Sequence, residues 1–187
     1  MKKILSCMIS ISLIVSSCGA AFATETNHGL QTFEQSQAEF VETLVGTKDV
    51  NDEVDIHGDD LAIEGEGLKL EVPKKGSDQI SLEPFEGKGF SIGFPKDVES
   101  TNAVVSEKGT IIYSEDDTVS IAVQAVQEEQ DGLTIEGVRC MIVINDATAP
   151  KEYEFKYNLP KGYELMTAEE YYGKETEEKG WIYIVDK

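Results

Sequence analysis

The residues able to do chemistry are few and scattered. Two histidines are present, His28 and His57. His57 lies in "DEVDIHGDD", where Asp55 or Asp59 could orient it as a base, but no Gly-x-Ser-x-Gly turn supplies a nucleophile. Acids beside a histidine are equally what a solvated loop contains. Cys140 sits in "VRCMIVI" at an apolar-facing strand position, where free cysteines pack as small hydrophobes. Two separated histidines and such a thiol give no zinc spacing. Among metal readings calcium ranks first. "DVNDEVDIHGDD" offers Asp49, Asn51, Glu53, Asp55 and Asp60, with oxygen donors at mostly alternate positions. It departs from an EF-hand loop, because Val54 stands where the turn needs Gly and Asp60 replaces the bidentate Glu. "SEDD" at residues 114–117 is a second acidic cluster and reads as a hairpin tip. Carboxylate pairs for glycoside cleavage carry no information in a chain with 36 acids. Phosphate loops, Cys-x-x-Cys and Gly-x-Gly-x-x-Gly fingerprints are absent.

The elements that would position these residues are mostly strands. Thr32 to Gln35 has the form of a capping box, and Phe33, Ala38, Phe40, Val41, Leu44 and Val45 recur at helical spacing behind it. The spacing predicts one amphipathic helix over residues 33–45, ended by Gly46 and packed on the domain or acting as a mobile arm. From about Val50 the period becomes two. Strands are expected at residues 61–64, 68–72, 79–82, 90–94, 110–113 and 118–127, with Val119, Ile121, Val123 and Ala125 on one face of the last. After a turn at Asp131 and Gly132, Val138, Cys140, Ile142 and Ile144 line another strand. In "APKEYEFKYNLPKGYEL" the alternating Tyr153, Phe155, Tyr157 and Leu159 read as an inner sheet face, not an exposed gripping stripe. Pro160 and Gly162 fit the second and fourth places of a type I turn. Thr167 to Glu170 caps a short helical turn stopped by Gly173, and residues 181–185 form a final strand. The fold class is therefore mainly β: an antiparallel β-sandwich or flattened barrel preceded by one amphipathic α-helix. No βαβ rhythm, internal repeat or interdomain linker is present.

The first residues set an address. Lys2 and Lys3 precede an apolar run at residues 4–15, and Ala21-Phe22-Ala23 forms an Ala-x-Ala site. Residues 1–23 are expected to be a secretory signal cut after Ala23, followed by a flexible leader and the helix over residues 24–50 and a β-rich domain over residues 51–187. The run is too short for a membrane span, which needs about 20 apolar residues. The alternative is a lipoprotein, since Val15-Ser16-Ser17-Cys18 resembles a lipobox with Cys18 lipidated. Either way Cys140 is the single free thiol left, since Cys18 is removed with the signal or blocked by lipid, so no intrachain disulfide forms. Cleavage after Ala23 removes two lysines and no acid, leaving a formal charge of 14 − 36 = −22. Such a surface repels phosphate backbones and anionic lipids, which excludes nucleic acid as a partner and membrane insertion of an unlipidated mature chain.

The segments "VVSEKGTIIYSEDDTVSIAVQAV", "VIND", "ATAPKEYEFKYNLPKGYEL" and "GWIYIVDK" resemble a family of uncharacterised secreted proteins of Gram-positive bacteria. The resemblance covers residues 104–187, with the "APKEYEFKYNLPKGYEL" part the most distinctive. It brings no catalytic residues. It implies a further segment with a Pro-Trp-Ala-like motif, so that a chain ending at Lys187 reads as a truncated or diverged member. The expectation is a secreted, non-enzymatic β-rich module, without cofactor, that binds a protein or envelope component. The alternatives are a hydrolase using His57 with nearby carboxylates and a bacteriocin-like antagonist.

Overall fold

Period-two alternation from residue 61 onward builds two stacked sheets in a computed structural model. The structure describes residues 8–15, 32–58, 60–84, 88–115, 117–130, 133–174 and 182–186. In chain order the elements are β1 (Met8–Val15), α1 (Phe33–Val45), β2 (Asp55–His57), β3 (Asp60–Glu64), β4 (Leu68–Pro73), β5 (Gln79–Pro84) and β6 (Phe90–Gly93). A short 3-10 turn (Lys96–Val98) leads to β7 (Val104–Val105), β8 (Ile111–Ser114), β9 (Val119–Gln130) and β10 (Leu133–Ile144). Then come β11 (Lys156–Asn158), β12 (Tyr163–Thr167), α2 (Ala168–Tyr172) and β13 (Ile182–Asp186). One sheet runs β1-β10-β9-β8-β7, the other β11-β6-β5-β4-β3-β2, and β12 pairs with β13 as a separate ribbon. All pairs are antiparallel except β1 with β10, which is parallel. The two large sheets end in open edges, so the fold is sandwich-like rather than a closed barrel.

The core lies between the two large sheets. Leu70, Val72, Ile80, Leu82 and Ile92 from the six-stranded sheet meet Tyr113, Ile121, Val123, Val138 and Cys140 from the five-stranded one. Burying a large aliphatic side chain contributes about 1.5–3 kcal/mol, and this interface contains many. The expected strand rows of β9 and β10 face this core. The opposite face of β8, β9 and β10 is also apolar: Ile112, Ala122, Met141 and Val143 are covered by Ala38 and Val41 of α1. Strands buried on both faces have no polar alternation to show, which explains the unbroken "CMIVI" that follows Arg139.

Helix α1 forms where expected. Thr32 Oγ1 accepts the Gln35 amide at 3.3 Å and the Gln35 side chain accepts the Thr32 amide at 3.0 Å. At its other end the Gly46 amide donates to the Glu42 carbonyl at 3.0 Å. Docking on the sheet is reinforced by Glu42, which is buried and accepts from the Ser106 hydroxyl at 2.5 Å. The helix is thus part of the packed domain, not a mobile arm. Thr167 and Glu170 make the second capping box, which starts α2.

Some expectations change. Strands β1, β2, β7 and β12 were not expected; β2 and β7 have only two or three residues and so no period to detect. The "LPKG" turn closes one residue later than read: the Tyr163 amide donates to the Pro160 carbonyl at 3.1 Å, and Gly162 holds φ +95 at the third place. A positive φ there requires Gly, unlike the fourth place of a type I turn. The leader at residues 24–30, the turn at Asp131 and Gly132, and Trp181 lie outside the described residues. No helix among the described residues is long and apolar enough to cross a membrane.

Candidate functional site

His57 lies on β2, an edge of the six-stranded sheet, with its backbone in register with Asp60; Asp55 is in register with Ala62. His28 and Asp59 lie outside the described residues. Cys140 is fully buried in the sandwich core, and burial pushes its thiol up to about 12. Nucleophilic cysteines need accessible thiolate, so Cys140 acts as a small hydrophobe. The stripe Tyr153, Phe155, Tyr157 and Leu159 packs half-buried against the same core. Burial pushes the Tyr157 phenol up to about 12. Only residues 156–158 of that stretch pair as a strand, against β6.

The acidic loop opens onto a shallow cleft of about 600 Å³, lined by Asp49, Asn51, Glu53, Glu64, Glu66 and Glu129 among others. Of the five calcium candidates, the structure brings Asp49, Asn51 and Glu53 to this cleft and leaves Asp55 on β2 and Asp60 on β3. Asp49 is already engaged: its carboxylate pairs with the Arg139 guanidinium. The Asn51 side-chain oxygen accepts the Glu53 amide at 3.1 Å. Among the described residues no three His, Cys, Asp or Glu side chains are grouped so as to hold a metal ion.

The reason for this loop's path is β9. Beyond the end of β8, residues 49–51 take over as its neighbour, with the Gln127 amide donating to the Asp49 carbonyl at 2.7 Å and the Asn51 amide to the Ala125 carbonyl at 3.0 Å. Arg139 then ties the loop to the sheet, since its other guanidinium nitrogen donates to Gln124 Oε1 at 3.1 Å. Gln124 is fully buried and donates to Thr110 Oγ1 at 3.0 Å. This polar line satisfies groups that would be costly to bury alone. A second long-range clamp is Glu136, whose carboxylate accepts the Glu66 and Gly67 amides, each at 2.7 Å. A Cβ on Gly65 would come within 1.9 Å of Glu136 Oε1, so a side chain there would push the carboxylate off the two amides.

Neither clamp was anticipated. One signal was available for the first: Arg139 is the chain's single arginine, set in the otherwise apolar run of residues 138–144. Such a residue needs a buried partner. The aromatic contacts of Tyr171, Tyr172 and Tyr183, with centroids 4.7–5.8 Å apart, pack α2 on the β12–β13 ribbon. Comparison of the chain with protein-family models, curated proteins and solved structures found no match. Fold and side-chain geometry therefore define the class: a mainly β, sandwich-like module with a helix packed on one sheet.

Proposed function

We propose that this chain is an exported module that acts by contact with a protein or envelope component, without a reaction centre. The observation that carries the reading is the use made of Cys140 and the aromatic stripe. These features, the most able to build a nucleophilic or ligand-gripping centre, are spent on the sandwich core. The signal-like residues 1–23 and the likeness of residues 104–187 to secreted Gram-positive proteins support the exported address. The excess of acids, 36 against 16 basic residues, favours a neutral or basic partner.

The competing reading is a hydrolase built on His57. It is tested by assaying the chain and its His57→Ala variant on ester, peptide and glycan panels. The contact reading expects no turnover by either; turnover that disappears in the variant overturns it. Calcium in the acidic loop is a separate proposal. It expects millimolar calcium to raise the melting temperature and EDTA to lower it, and an unmoved transition ends it.

A further inference from the structure

We infer that the outer edge of β10 accepts an extended strand from a partner polypeptide once the chain has been exported. The inference rests on the exported address proposed above. In the structure that edge is filled by β1, which runs parallel to β10 from Met8 opposite Gly137 to Val15 opposite Ile144. Both processing points offered by the sequence, before Cys18 and after Ala23, lie downstream of Val15. The exported chain therefore lacks β1 whichever is used, and eight positions of β10 lose their neighbour.

β10 is not built to be an edge. The other ends of the two large sheets are short: β7 has 2 residues, β2 has 3 and β11 has 3, whereas β10 has 12. Short edges limit pairing with other chains, as do charges, prolines and bulges. Residues 137–144 contain no proline, and their register with β9 on one side and β1 on the other runs without a slip. Their single charge, Arg139, is held by Asp49 and Gln124. Val138, Cys140, Met141 and Val143 are fully buried. An apolar edge of this length, left bare, pairs with any strand that fits it.

The register says what fits. Ile9, Ile11, Leu13 and Val15 stand opposite Val138, Cys140, Ile142 and Ile144, the row lining the sandwich core. Ser10 and Ser12 stand opposite Arg139 and Met141. The occupant is thus an uncharged strand with aliphatic residues at every second position and, between them, small polar residues opposite Arg139 and Met141 and an aliphatic one opposite Val143. A second copy fits less well. Two copies each at −22 after cleavage (14 − 36) repel one another. A strand from a neutral or basic partner does not meet that obstacle.

The test uses the chain collected from the medium or envelope of a secreting Gram-positive host, with its N-terminus read by mass spectrometry and its sheet content by circular dichroism. The probe is a peptide of residues 8–15 with two added N-terminal lysines. The control is the same peptide with its serines exchanged with Ile9 and Ile11. The expected result is one-to-one binding of the probe alone, slowing amide exchange within residues 137–144 at least ~tenfold. A folded, monomeric processed chain that ignores the probe overturns the inference. A processed chain that self-associates through the same amides gives the edge to a second copy and overturns the choice of partner. Loss of folding on processing also overturns it, because β1 would then be a permanent strand. A chain that retains Met8–Val15 overturns it through failure of the export reading, which the mass alone identifies.

Discussion

In the five-stranded sheet β9 and β10 bury both faces, one against the sandwich core and one against α1; in the six-stranded sheet β4 and β5 bury one face only. On the latter's outer side Glu71, Ser81, Ser91 and Asn158 stand in one register row across β4, β5, β6 and β11. Lys69 and Glu71 pair there at 2.7 Å, and Ser91 donates to Gln79 Oε1 at 2.7 Å. The same strand period therefore gives two kinds of sheet. One is a solvated surface that tolerates change, and the other is an interior with little room for it.

That contrast is broken most severely by a cavity in the doubly buried sheet. Ile121→Ala removes a fully buried side chain of β9 and is expected to cost about 2–5 kcal/mol in denaturant unfolding. Alkali comes next. Burial raises Cys140 from 9.0 to about 12 and Tyr157 from 10.0 to about 12, and it raises Tyr113 as well. The unfolded chain then releases these protons at a lower pH than the folded one. Stability from this source is intact below about pH 9 and falls as pH rises toward about 12. Thermal melts should decline above pH 9, and Cys140→Ala should flatten the first part of that decline.

Smaller effects sharpen the comparison. Glu136→Ala frees the Glu66 and Gly67 amides to water and should cost about 1 kcal/mol. Thr32→Ala removes one half of the α1 cap and should also cost about 1 kcal/mol, loosening the helix that covers the second face. Ser81→Ala on the solvated sheet should shift unfolding by no more than about 0.5 kcal/mol. A Ser81→Ala cost as large as that of Ile121→Ala would erase the distinction between the sheets.

Local pattern made much of this fold legible. The rows Val119, Ile121, Val123 and Val138, Cys140, Ile142 were readable because side chains on a strand alternate sides. Both helix caps were readable because a capping box is complete within four residues. Strands β2 and β7 were not, being too short to repeat anything. The clamps were hidden for a different reason: Arg139 and Asp49 are 90 residues apart, and Glu136 and Glu66 are 70 apart. Spacing within a segment says nothing about such pairs. The run at residues 4–15 is the instructive case. A signal core and an edge strand can both be built from a short, mostly apolar run, so the sequence supports the first reading while the structure pairs Met8–Val15 with β10.

The account depends most on whether β1 alone, among the described residues, covers the outer edge of β10. Hydrogen exchange read residue by residue on the unprocessed and the exported chain tests this directly. Alternate amides within residues 137–144 should be slow in the first and fast in the second, while those of β9 stay slow in both. Equal protection of residues 137–144 in the two forms would contradict it.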